Sequence, residues 1–329
     1  MNMKKNIIFI ILLLIATVGA KANDGKVMLQ SGGKVTFFDS SKINDAIAVA
    51  EEGDTIDLAA GSYSNSDVLI NKNILLRGRS ADRNGQYTQI YNNTTIESAC
   101  RIEGIYFYRN INVTKEVSGL TITSCSFDDI NFSADMPGML IERSLCRGEM
   151  CLNNLKSKDI NINNCNLACI YGGDWEARPC TFRNCNIANV SNTDENKRRT
   201  YVDMFINCIL ETYNYYAYGS DIYMLGGSLT IVNSLRHCYN FGYDNSINDY
   251  YFDENDGKRN LFSSMMYATC SYTKNELLEK GYIGTDGTVI GSEGGAYPYT
   301  LTPINTRISS STISMADQKI SVDVEVKVE

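Results

Sequence analysis

Seven six-residue stretches of this chain fall into one register: residues 102–107, 122–127, 141–146, 162–167, 182–187, 205–210 and 231–236. Their fourth residues are Ile105, Cys125, Ser144, Cys165, Cys185, Cys208 and Ser234, at steps of 20, 19, 21, 20, 23 and 26. A period in this range means a solenoid, since each unit buries its apolar face only against its neighbours. Three residues before this anchor stands Ile or Phe in every unit. Five before it stand Cys100, Leu120, Met139, Ile160, Cys180, Asp203 and Leu229. That alternation is strand period with one face buried. The anchor is again small or apolar, so the parity slips by one residue between the two halves of the unit. A strand cannot slip and keep one face inside, whereas a one-residue corner can.

The residue just before the anchor is therefore expected to take a left-handed backbone. It reads Gly104, Ser124, Arg143, Asn164, Asn184, Asn207 and Asn233. Gly and Asn tolerate that region, and Ser124 and Arg143 depart from the pattern. Stacked Asn side chains can hydrogen-bond along successive turns. The expected fold is all-β, a single-stranded right-handed parallel β-helix with adjacent coils about 4.8 Å apart. Cys at the anchor then reads as a small buried hydrophobe. The 11 cysteines need no disulfide framework in a chain of this size. Cys125, Cys165, Cys185 and Cys208 should point inward as free thiols.

An open solenoid end exposes core and edges, so it needs a cap. Residues 42–52 read as a helix N-capped by Ser40 or Ser41, with Ile43, Ala46, Ile47 and Ala50 as its apolar stripe and Gly53 as its end. Before this, Lys4 and Lys5 precede an apolar run, and Ala20 and Ala22 offer a cleavage site. Residues 1–22 thus read as a signal peptide, and the rest as an exported chain. Residues 23–298 are assigned to the β-helix and 299–329 to a C-terminal β tail. Its stretch 319–329 alternates cleanly, as does a strand with one buried face, able to seal the C-terminal end or pair with another chain. The apolar run at the start is short for a membrane span, and no later stretch is long enough. A net charge of −8 argues against nucleic acid as partner. One histidine argues against multi-His metal sites.

Residues 46–63 and 68–78 resemble the opening module of right-handed β-helix proteins of the pectin-lyase-like superfamily: a helix, a strand and turn of the pattern Gly-Asp-Thr-Ile, and a second strand ending in Gly78. Residues 284–298 are similar to the closing segment of exported β-helix proteins of Bacteroidota-type bacteria. The resemblance implies the fold. It leaves activity open, because the superfamily holds lyases, hydrolases, esterases and non-enzymatic surface proteins. Of the polygalacturonase-type elements the chain has Asn192–Thr193–Asp194 and Asp128–Asp129, in the reverse order, and lacks the Gly-His-Gly and Arg-Ile-Lys elements.

The register also selects outward-facing side chains. Glu142 and Arg183 fall in one outer row two coils apart, about 9.6 Å at strand spacing, and are the candidate catalytic pair of a lyase; a solvated charged face is the competing reading. The outer strip is polar over the first five coils and turns apolar at Met204, Ile206 and Val232, where insertions after residue 210 are candidates to cover it. His237 has no evident Asp partner in register. Tyrosines crowd residues 201–272. Tyr213, Tyr215, Tyr216 and Tyr218, with Asn214 or Asp221 for hydroxyls, form a candidate sugar platform, or else pack as core. Residues 244–257 are acidic enough for calcium but do not match the twelve-residue loop pattern. No cofactor is expected otherwise. The leading function is an exported, non-enzymatic glycan-binding or cell-surface interaction protein. The alternative is a polysaccharide lyase acting on an acidic glycan by β-elimination.

Overall fold

Ile102, Ile122, Ile141, Ile162, Phe182, Phe205 and Ile231 form one column, each opposite the next across parallel strand pairs and each fully buried. These are the residues three before the seven anchors, so the repeat is the coil. The structure, a computed structural model, describes residues 26–303 apart from 153, 158, 172–177, 192–201, 212–229, 238–244, 254, 256 and 259, together with 306–316 and 319–328. It is a parallel β-solenoid. The first sheet has twelve strands. From Thr55–Leu58 it runs in parallel through Leu75–Arg77 and Arg101–Glu103 to Thr230–Val232 and Asn245–Ile247. Two further strands, Lys26–Ser31 and Lys34–Asp39, join its N-terminal edge by antiparallel pairing. The second sheet runs alongside from Gly61–Tyr63 to Tyr250–Tyr251.

All seven corner residues are left-handed, with φ of 63° at Gly104, 51° at Ser124, 50° at Arg143, 51° at Asn164 and Asn184, 54° at Asn207 and 46° at Asn233. Ser124 and Arg143 therefore follow the rule by backbone and break it only by residue type. An eighth corner, Asn248 at φ 53°, follows the strand Asn245–Ile247. Its step is shorter than the others, so periodicity alone did not reveal it.

The anchor is more than a small hydrophobe. The corner takes the anchor N–H out of the backbone ladder, and the anchor side chain of the next coil can meet it while also donating to a carbonyl of its own coil. Cys125, Cys165, Cys185 and Cys208 donate S–H to the carbonyl two residues back, at 3.3, 3.2, 3.3 and 3.3 Å. Ser144 and Ser234 do the same with a hydroxyl, at 2.9 and 3.0 Å. The same oxygens accept the anchor N–H of the preceding coil, Cys125 N–H to Ser144 Oγ at 3.2 Å and Cys208 N–H to Ser234 Oγ at 3.0 Å. The four thiols are fully buried and free, as expected.

The N-terminal cap is shorter than its sequence suggested. A 3-10 turn, Ser40–Lys42, leads into the helix Ile43–Val49. No side chain caps its start, and Ala50 is already extended, so Gly53 belongs to the following turn. The expected stripe holds: Ile43, Ala46, Ile47 and Ala50 are buried in the solenoid core. Lys72 donates to the carbonyls of Ala48 and Ala50 at 2.6 and 2.7 Å, placing a cation where the helix dipole is negative.

Beyond the last coil the chain turns back. The short hairpin Phe262–Ser264 with Thr269–Cys270 and the helix Lys274–Glu279, closed by a Thr273–Glu276 capping box, cover the outer side of the second sheet. Leu261, Phe262, Leu277 and Ile290 pack there on Ile209 and Leu235. Residues 283–303 then run back along the corners as a strap. Asn233 donates to Ile283 O, Thr285 N–H donates to Asn207 Oδ1 at 2.9 Å, and Gly291 N–H donates to Asn207 O at 2.7 Å. Asn184 reaches Asp286, Ser292 N–H donates to Asn186 Oδ1, and Asn164 donates to Gly294 O at 2.7 Å. Pro303 lies so close to Gly104 that a Cβ there would clash, and Ala81 N–H donates to Leu301 O. The corner asparagines thus bond the strap, where stacking along the column was the expectation. The tail strand Lys319–Val328 pairs antiparallel with Thr306–Ala316 of its own chain. This hairpin begins three residues after Pro303, which lies at the Gly104 coil.

Candidate functional site

The strand pairing that sets Phe107 on Ile90, both fully buried, turns the next residue of each coil outward. Those residues are Tyr108 and Tyr91. Their rings lie 5.1 Å apart at 39° and are 40% and 41% exposed. Arg109 sits over the Tyr108 ring at 5.5 Å. The column continues with Asp128 and Arg147, because Phe127 pairs with Cys146, and their side chains form an ion pair at 3.1 Å. Arg147 also bonds the Tyr106 hydroxyl and donates to Phe107 O at 2.6 Å. Tyr106 is buried between the guanidiniums of Arg147 and Arg83, 4.4 and 5.2 Å from its ring. Two exposed rings with an exposed cation and a carboxylate beside them suit the apolar face and hydroxyl rim of a sugar.

The same column, three residues after the anchor, holds Glu211 and His237 further along. They pair in register, His237 Nδ1 lying 3.2 Å from Glu211 Oε1. His237 therefore has a carboxylate partner, a Glu from the previous coil where an Asp near it was sought and not found. Burial raises the Glu211 pKa, against the lowering effect of His237. The sequence reading followed each unit only two residues past the anchor. One step further would have lined up Tyr108, Asp128, Arg147, Glu211 and His237.

Glu142 and Arg183 stand in one row of the first sheet with Asn163 between them. The Glu142 carboxylate bonds Arg143 Nη2 at 3.2 Å, and Arg183 is exposed. The polar outer strip is uneven: Arg101, Asn161 and Arg183 are exposed, while Glu103 and Thr123 are buried. Met204, Ile206 and Val232 are partly buried. Tyr213, Asn214, Tyr215, Tyr216, Tyr218 and Asp221 lie outside the described residues. Within the acidic stretch 244–257, Asp249 accepts from Ser234 N–H and faces Arg236, and Asp253 accepts from Asn255. Among the described residues no three His, Cys, Asp or Glu side chains come together to hold a metal. None of the described helices is long and apolar enough to cross a membrane.

A second polar group lies at the corners between Asn164, which bonds the strap, and Gly104, which abuts it. Arg143 is 7% exposed, Thr123 1% and Ser124 fully buried. Among the described residues, Arg143 Nε and Nη1, Thr123 Oγ1 and Ser124 Oγ have no hydrogen-bond partner. A buried polar atom left unpaired costs about 1–3 kcal/mol.

No protein family model, curated protein or solved structure matches the chain.

Proposed function

We propose that the protein is an exported, non-enzymatic glycan-binding or cell-surface interaction protein on a β-helix of the pectin-lyase-like type. The observation that carries this reading is the exposed Tyr91–Tyr108 pair flanked by Arg109 and Asp128. Stacked rings on neighbouring coils give a ridge along the solenoid, and a saccharide chain laid on it meets one ring per sugar face. The charged-then-apolar start of the chain supports export. The tyrosine-rich residues 213–218, with Asp221, belong to the same proposal as a second platform. Elimination chemistry has less support, because the Glu142 carboxylate is engaged by Arg143 and Arg183 stands two rungs away.

The test is calorimetry against neutral and uronic-acid polysaccharides with the native chain and the double variant Tyr91→Ala/Tyr108→Ala. Binding is expected to weaken by about 1–3 kcal/mol, the scale of losing aromatic contact area, while the unfolding midpoint stays in place. Unchanged affinity in the variant rejects the ridge. Release of unsaturated, ultraviolet-absorbing products from a uronic-acid glycan rejects the non-enzymatic reading.

A further inference from the structure

Between Asn164, which bonds Gly294, and Gly104, which abuts Pro303, the strap must cross the corners of two coils, those of Arg143 and Ser124. Of the six corners that carry a side chain in the seven repeat units, these two alone show no hydrogen bond between that side chain and the strap among the described residues, yet both are buried. They are stacked neighbours: Ser124 N–H donates to Glu142 O at 3.1 Å, so their backbones lie on adjacent rungs. Tyr299 sits on this stretch of strap, its phenol desolvated enough to raise its pKa.

The residue types are telling. Asn serves at four of the seven repeat-unit corners, tolerates a left-handed backbone and would bond the strap without charge. Arg at φ 50° is strained, and its buried charge needs compensation. Glu142 answers only Nη2 and is itself 25% exposed. What remains is a guanidinium with Nε and Nη1 without a partner among the described residues, one rung from Ser124 and Thr123, whose hydroxyls also have none. Every one of these atoms can donate a hydrogen bond, and the nitrogens can only donate.

We propose that Arg143, Ser124 and Thr123 form a small-oxyanion site, for phosphate, sulfate or a small carboxylate, that the strap closes over. Two rungs about 4.8 Å apart match the span of a single tetrahedral or planar oxyanion and are too short for an oligosaccharide. The anion accepts from the guanidinium and hydroxyls and fastens the strap's middle, where the asparagine bonds are missing. The ridge of Tyr91 and Tyr108 plays no part in it.

The experiment is calorimetric titration of the full chain with inorganic phosphate, sulfate and acetate at constant ionic strength. Hydrogen exchange at residues 295–300 is followed in parallel. Saturable one-to-one binding of at least one anion, with slowed exchange across that stretch, is expected. Arg143→Gln should abolish the saturable signal. The double variant Thr123→Val/Ser124→Ala should weaken it at least tenfold, and it tests the site should the arginine variant fail to fold. General salting-out stabilisation acts equally on native and variant chains and is subtracted by that comparison. No saturable binding of any of the three anions, or equal binding by the variants, overturns the proposal, as does a high-resolution structure with only water on these atoms.

Discussion

Sulfur at the corner meets a requirement that a hydrocarbon of the same size cannot. Cys185 donates to Arg183 O, and the Cys165 N–H of the preceding coil points back to its sulfur. Cys185→Ser keeps both bonds, as Ser144 and Ser234 already show, and is expected to shift stability by less than about 1 kcal/mol. Cys185→Val fills the space and leaves the Arg183 carbonyl its bond from the Asn164 N–H, but orphans the Cys165 N–H, at a cost of about 1–3 kcal/mol. Urea unfolding of the two variants separates a polar relay from simple packing; equal losses would restore the packing account. Burial of the thiols also sets a pH response. Burial holds Cys100 and Cys125 up to about 12 and Cys270 up to about 11, against 9.0 for an ordinary thiol. A thiol raised in the fold contributes its stability below the unfolded value and loses it as pH rises through the folded one. The unfolding midpoint is therefore expected to fall steadily from pH 9 toward 12. Iodoacetamide at pH 8 should leave the four anchor thiols unlabelled until denaturant is added, as read by peptide mass spectrometry.

The strap is the element whose energetics are most open to dissection. Asn164→Gly keeps the left-handed corner and removes only the bonds to Gly294 and Ser292, so about 1 kcal/mol is expected to be lost. Gly104→Ala does the reverse: it strains the corner and pushes a methyl group into Pro303. It should speed proteolysis within residues 295–303 at least several-fold, and an unchanged cleavage rate would mean that Pro303 is not seated there. The coils and their corners were legible in the sequence because they recur. Ile102 predicts Ile122, and seven examples average away the misfits Ser124 and Arg143. The strap was not legible as such. Residues 284–298 carried a resemblance to a closing segment, but they have no period, and many of their bonds run through backbone atoms to partners as distant as Asn164. The exposed Tyr91 was missed because it precedes the first counted unit. Tyr108 and Glu211 were missed because one more column was needed. Those three residues are outward positions, where alternation says which side a residue faces and nothing of what meets it.

Each coil touches only its neighbours, so a bare solenoid frays from its ends and melts in segments. Residues 283–303 alter that by bonding the corners from Asn233 back to Asn164 and abutting Gly104. A single cooperative unfolding transition is expected for the native chain. The triple variant Asn164→Gly/Asn207→Gly/Asn233→Gly should split it, with hydrogen exchange in the last coils running ahead of exchange at residues 102–127. Coincident exchange in the variant would show that the core alone sets the cooperativity. The return of the strap has a mechanical side as well. Lys26, in the strand beside Thr55–Leu58, and Pro303, beside Gly104, both lie toward one end of the rod. Tension applied between them meets the strap at its last corner and peels it off one corner at a time, while the coils behind are loaded hardly at all. Such a molecule yields in stages. It first pays out about 70 Å of slack, the extended length of residues 283–303 at ~3.4 Å each, and the stacked coils give way only afterwards, so that the strap acts as a fuse for the rod.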